Sequence, residues 1–387
     1  MKRLVIHAGM AKTGTTTIQE SLGEMASELR SANVVYPGWR PYNHSYELAA
    51  LFRRNPKVGF YYRQFAPPSD EAWEEERERL LEQWRAFFTS FDEGTAIVSA
   101  EGLEQFFVDE LRAFLDFAEP FFDECVAVIY VRHPLTSIKS RWEQAVKQLD
   151  ALSSGEALLQ DCKRRTRFAA VRRWANAIGE DRLKVRAFDP DQFVGGNPVD
   201  DFLHSIDLGY LTLPIATERA SNTSLGFNGT SLLLQLNGQY PLYLDGVYNP
   251  ERGMAQHQEL LHRLMREIED TPLSIDVKFN DEEAAAINHE IALVNQFLPG
   301  DAQFAQVQAS DGESDVPEPD KVAPRYVAAL VNGLLGLLER EKADRQHLAR
   351  EVKRLSTEML AREGELAALR ELYPEDDEVA ASPNDND

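Results

Sequence analysis

The chain has 387 residues, 43% of them hydrophobic, which is enough for one large α/β domain with an appendage and excludes a wholly disordered chain. A formal charge of −23 sets the average field against nucleic acid, because a polyanion is repelled unless a concentrated basic face opposes it. Two cysteines, Cys125 and Cys162, are too few for a disulfide framework, and no run approaches the roughly 20 apolar residues that span a bilayer. The first apolar stretch is also shorter than a signal-peptide core, so the expectation is a soluble, cytoplasmic protein with no transmembrane segment and no nucleic-acid partner.

In chain order, Arg3 to Ala8 reads as a short buried strand, followed by a Gly and Thr cluster that runs into the helical spacing of IQESLGEMASEL. Further strand-length runs are Asn33 to Tyr36, ended by Pro37-Gly38, then Thr95 to Ser99, Cys125 to Val131, whose first residue suits a buried thiol, and Leu183 to Phe188. Helical patterns fill the gaps at Ser69 to Phe91, Glu104 to Phe121 and Thr166 to Ile178. Strands alternating with helices predict an α/β fold: a parallel sheet flanked by helices in a P-loop-like three-layer sandwich.

The composition changes near residue 305. Residues 306–323 are acid-rich with few large apolar side chains and read as a linker between a catalytic domain at 1–305 and a helical segment at 324–373. In that segment Val327, Val331, Leu334, Leu338, Leu348, Val352, Leu355, Met359, Leu366 and Leu369 recur in steps of four and three, broken by Glu341, Arg345 and Arg362. The pattern predicts a coiled coil through which the chain forms a homo-oligomer or meets a partner protein; a long helix folded back on the domain is the other reading. Residues 374–387 read as a disordered acidic tail.

In HAGMAKTGTTTIQ, Gly9 and Gly14 permit tight turns, and the amides of Thr13, Gly14, Thr15, Thr16 and Thr17 enter the first turn of a helix, whose free N–H groups and positive dipole end attract an anion. Lys12 adds a full positive charge. A nucleoside-triphosphatase loop places its lysine directly after the second glycine, whereas Lys12 precedes Gly14 by two positions. Downstream, VAVIYVRHPLTSIKSRWEQ reads as a strand ending at Arg132, a turn at His133-Pro134 and a helix bearing Ser140. Arg132 can fork onto a phosphate, and the Ser140 hydroxyl, eight positions on, can donate to the same group.

The segment AKTGTTTIQ resembles the 5′-phosphosulfate-binding loop of sulfotransferases that use 3′-phosphoadenosine 5′-phosphosulfate (PAPS), and Arg132 with Ser140 resembles the same family's 3′-phosphate motif. The likeness covers roughly residues 1 to 300. It implies sulfuryl transfer from PAPS, with adenosine 3′,5′-bisphosphate (PAP) as product and no metal, Lys12 on the phosphosulfate bridge, and Thr13 to Thr17 as the cradle. Thr17 stands where the cytosolic branch often has Trp, and the terminal R-K-G-x-x-G-D loop of that branch is not found. The first departure points to the bacterial and glycan-modifying branches, and the contacts of the missing loop must come from elsewhere; the expected acceptor is a carbohydrate hydroxyl or amine, or a small molecule. Asn222 and Ser224, in SNTSLGFNG, are weaker matches to the later part of bacterial members.

Two residues qualify as the base that takes the acceptor's proton. Glu101 follows the strand TAIVSA and is similarly placed to the Glu of heparan N-sulfotransferase domains; His44, in PYNHSYEL, matches a His used by some glycan O-sulfotransferases. The run CKRRTRFAAVRRW gathers Lys163, Arg164, Arg165, Arg167, Arg172 and Arg173 and offers either a steering patch for an anion or a solvated helix face. Two rival functions stay open: a divergent P-loop kinase, with Glu101 as its available Mg²⁺ ligand, and a non-catalytic nucleotide-binding scaffold that assembles through the C-terminal coiled coil.

Overall fold

The five apolar runs form five strands, β1 (Lys2–Ala8), β2 (Val34–Val35), β3 (Gly94–Ala100), β4 (Glu124–Val131) and β5 (Leu183–Ala187), joined in the order β2-β3-β1-β4-β5. The computed structural model describes residues 1–57, 69–147, 154–214, 225–240, 263–318 and 322–340, with short pieces at 243–244, 247–248 and between 342 and 354. Asn222, Ser224, the seam positions from Leu348 onward and the tail at 374–387 lie outside the described residues.

All four strand pairings of this sheet are parallel, so the carboxyl ends of its strands share one edge. Ala8 lies beside Ala100, His7 beside Val128, and Val131 beside Ala187. The residues that follow these ends, Gly9, Glu101, Arg132 and Phe188, are thereby delivered to one crevice, where open α/β sheets bind ligands.

Strand alternation sorts the core into two layers. Leu4, Ile6, Ala96, Val98, Ala127 and Ile129 face one cluster with Trp73 and Trp84 of α4 (Asp70–Thr89), Phe114 of α5 (Val108–Ala118) and Trp174 of α8 (Ala169–Ile178). Val5, Ile97, Val126, Val128 and Tyr130 face the other, with Ile18 and Leu22 of α1 (Thr15–Glu24) and Phe202 and Leu203 of α9 (Pro198–Ser205). Further helices are α2 (Ala26–Ser31), α3 (Ser45–Phe52), α6 (Pro134–Lys147), α7 (Gly155–Arg165), α10 (Phe227–Gln239) and α11 (Asp281–Val294). The fold is α/β, a parallel sheet between two helical layers.

The chain divides into two compact units, Met1–Arg266 with Asp270–Val322, and Glu267–Glu269 with Ala323–Asp387. The first therefore runs past the boundary expected at 305, and the stretch read as an open linker is fastened to it. Val307 and Val316 are buried, and Asp315 pairs in a β-bridge with Asp276. Glu318 caps α7, accepting the Gly155 and Glu156 amides at 3.0 and 2.9 Å. Composition misleads here because two apolar anchors and one capping carboxylate suffice to hold a polar strap.

Candidate functional site

Gly14 stands at φ 68°, where an added Cβ would lie 2.8 Å from the Phe188 ring, and a Cβ at Gly9 would lie 2.4 Å from Thr15. Only glycine lets the loop fold this tightly while running straight into α1. The N-cap position, Gly14, gives that helix no side-chain cap. Lys12, itself at φ 67°, and Thr16 are exposed, whereas Thr13 and Thr15 turn their hydroxyls inward to the Met10 carbonyl at 2.7 and 3.3 Å. Thr17 is buried one residue further along.

The neighbouring strand end completes the edge. Arg132 follows β4, is half-buried, and its Nη1 donates to the Lys12 carbonyl at 3.3 Å, so the two segments singled out separately in the sequence meet. Its guanidinium lies 5.6 Å from the Phe188 ring centre. Burial pulls its pKa down from the ordinary arginine value, and the charge of Glu143 pulls it back up. Ser140 lies two turns into α6 and is half-exposed. A small cavity beside the loop is lined by Met10, Ala11 and Thr13 together with Arg132, Arg141 and Arg167.

Glu101 opens a 3₁₀ turn, Glu101–Gln105, directly after β3. Burial raises its pKa above the usual carboxylate range and the charge of Glu104 raises it further, while Lys12 and Arg141 oppose both. It is thus a carboxylate within the electrostatic reach of Lys12, with its proton affinity increased.

His44 is placed differently. It is fully buried, its ring 5.1 Å from Tyr36, 5.9 Å from Trp39 and 5.5 Å from Trp84. Its Nδ1 accepts the Ser99 amide at 3.2 Å, and burial lowers its pKa to about 3. Ser99 also holds His7, whose Nδ1 lies 2.8 Å from Oγ, and accepts from Gln19 Nε2 at 3.0 Å. His44 belongs to this internal network that ties β1, β3 and α1 together, and its ring is fully buried in this arrangement.

Sequence reasoning missed Glu104. Its Oε2 accepts the Ala11 amide at 2.9 Å, its Oε1 accepts Arg141 Nη2 at 3.2 Å, and its carbonyl accepts Arg173. One residue stitches the Lys12 loop to α6 and α8; a second carboxylate three positions after Glu101 was the available signal. Part of the basic run is likewise engaged within the fold. Lys163 is buried against Glu283 at 2.9 Å and the Lys278 carbonyl, Arg167 lies 3.7 Å from Glu290, and Arg164 and Arg165 pair with Asp161. Lys163 and Arg167 join this segment to α11, whereas Arg164, Arg165 and Arg172 stay exposed. Cys125 and Cys162 are buried thiols outside any disulfide, and burial pushes the Cys125 thiol up to about 12.

No family model matches the chain, and no curated protein matches it. Among solved structures it is similar to a sulfotransferase from Alicyclobacillus acidocaldarius, at 17% identity over 61% of this chain and 90% of that one, with a TM-score of 0.33. It is also similar to the sulfotransferase domain of the Synechococcus PCC 7002 olefin synthase, at 14% identity over 55% and 74%, TM-score 0.27. A third is the sulfotransferase domain of the curacin biosynthetic pathway, at 11% identity over 55% and 74%, TM-score 0.29. All three are sulfotransferases. Among the described residues no group of three or more His, Cys, Asp or Glu is arranged to hold a metal ion, and no helix is long and apolar enough to cross a membrane.

Proposed function

We propose that the chain is a sulfotransferase that moves a sulfuryl group from PAPS to a hydroxyl or amine of an acceptor by in-line displacement. One observation carries the reading: Lys12 and its glycine-threonine loop meet Arg132 at the ends of adjacent parallel strands, bonded guanidinium to carbonyl. A single nucleotide carrying anions at both its 5′ and 3′ positions matches that pair of cationic groups. The residues fit such a ligand, since the Gly9 and Gly14 positions have no room for a side chain and α1 starts without a side-chain cap.

Each residue then has a task. The start of α1 with the exposed Thr16 hydroxyl holds the 5′-phosphosulfate, while Arg132 and Ser140 hold the 3′-phosphate. PAPS supplies a sulfuryl group on a phosphate leaving group. The acceptor atom bonds to sulfur as the bond from sulfur to the bridging oxygen breaks; the electron pair stays on that oxygen, where Lys12 meets the developing charge. Glu101 takes the acceptor's proton, a role its raised pKa suits. A carbohydrate is the acceptor class implied by the likeness to glycan-modifying sulfotransferases. The reading is tested by following labelled sulfuryl from PAPS onto a panel of amino- and hydroxyl-bearing glycans with chelator present. Transfer is expected without added metal; ATP turnover with no transfer from PAPS would overturn it.

A further inference from the structure

Lys12 stands at φ 67°, a backbone conformation that a residue with a side chain keeps only where its surroundings impose it. Three hydrogen bonds surround it. The Ala11 amide, one residue before, donates to Glu104 Oε2 at 2.9 Å; the Lys12 carbonyl accepts Arg132 Nη1 at 3.3 Å; and Thr13 Oγ1, one residue after, donates to the Met10 carbonyl at 2.7 Å. The Thr13 bond closes within the loop, and Arg132 has the nucleotide's 3′-phosphate to hold. Glu104 is the anchor from outside the loop that has no task in the scheme above.

Glu104 is itself held from two sides. Its Oε1 accepts Arg141 Nη2 at 3.2 Å and its carbonyl accepts Arg173 Nη2, so α6 fixes the side chain and α8 the backbone of the residue that grips the loop. The two groups that meet the carboxylate, the Ala11 amide and the Arg141 guanidinium, are both donors, and each has its own oxygen. A carboxylate accepts at both oxygens; a glutamine amide accepts at one end and donates at the other, so it can serve only one of the two, and an alanine serves neither. The pair of bonds thus asks for a carboxylate in particular, and it ends one residue short of the strained lysine.

We infer that Glu104 is a positioning residue for sulfuryl transfer, acting through the Ala11 amide to hold Lys12 where charge develops on the bridging oxygen; this rests on the sulfotransferase reading. Because that charge exists only in the transition state, a misplaced Lys12 lowers kcat more than it weakens nucleotide binding. The test is a double-mutant cycle on the full chain: the unmodified protein, Glu104→Ala, Lys12→Ala and the two combined. Sulfuryl transfer from labelled PAPS gives kcat and KM, calorimetry gives PAP affinity, and circular dichroism gives the folded fraction. Glu104→Ala alone should lower kcat by about 10- to 100-fold with PAP affinity within about threefold, and should lower it by less than about threefold once Lys12 is already Ala, since nothing is then left to position. Glu104→Gln, which keeps one of the two bonds, should recover part of the loss; it replaces Glu104→Ala in the cycle if the alanine variant does not fold. Additive losses, an equal fall in kcat and PAP affinity, or a kcat within about threefold of the unmodified chain would overturn the inference and leave sulfuryl transfer standing. An unmodified chain that transfers nothing from PAPS would overturn the catalytic reading and this inference with it.

Discussion

Glu101 and His44 meet the same strand, β3, within two residues of its end, Glu101 by following it and His44 by accepting the Ser99 amide. Around Glu101 stand Lys12, Arg141 and Glu104, charged groups that tune a proton. Around His44 stand Tyr36, Trp39 and Trp84, rings that exclude water and suppress charge. Desolvation acts on both, yet it raises the carboxylate's pKa above its ordinary value, which favours proton uptake, and lowers the imidazole's to about 3, which disfavours it. The contrast shows that an imidazole with a suitable free pKa is no better a base than its surroundings allow.

The comparison breaks most directly at the carboxylate. Glu101→Gln should lower kcat by about 10²- to 10⁴-fold while PAP affinity stays within a few-fold; turnover within tenfold of the parent would move the base elsewhere. Arg132→Ala should weaken PAP by roughly 10- to 100-fold, the loss of a charge-assisted hydrogen bond worth about 1.5–3 kcal/mol, as read by calorimetry. His44→Leu should instead cost about 1–3 kcal/mol of folding stability, because the buried Ser99 amide loses its acceptor, with turnover per folded molecule little changed. Denaturant unfolding and kcat on one preparation separate the two effects; a kcat collapse at full stability would restore His44 as a catalytic group.

The smallest effect is on acid stability. His44 and His7 each have a pKa lowered to about 3 by burial, so below pH 6.5 the unfolded chain takes up protons that the folded chain refuses. Stability is therefore full above pH 6.5 and falls as pH drops toward 3. Between pH 7 and 5.5 each histidine should account for about 1 kcal/mol of that loss, and His44→Leu should remove its share from the slope. An unchanged slope would mean that the ring is protonated in the folded protein.

All five strands of the main sheet are legible in the sequence to within one or two residues at most ends, because short apolar runs closed by Pro-Gly, Gly or His-Pro have few other uses. The loop at Lys12 and the arginine at Arg132 are legible for the same reason: each follows a strand that periodicity alone identifies. The strand order is not. Glu104 becomes visible only when β3 and β4 flank β1, which brings the turn after β3 against the loop after β1 and the helix after β4. The fate of the basic run was hidden likewise, since Lys163 and Arg167 are met by Glu283 and Glu290, about 120 residues away. Local pattern shows which side chains a segment offers, and long-range packing decides which of them remain free to act.

The central claim is that one nucleotide bridges the Lys12 loop and Arg132, and calorimetric titration with PAP, against 5′-AMP and ATP, tests it most directly on the unmodified chain and on Arg132→Ala. The account predicts that PAP binds more tightly than either comparison nucleotide and that Arg132→Ala removes most of this preference. Equal binding of PAP and 5′-AMP, or a preference for PAP that survives Arg132→Ala intact, would contradict it.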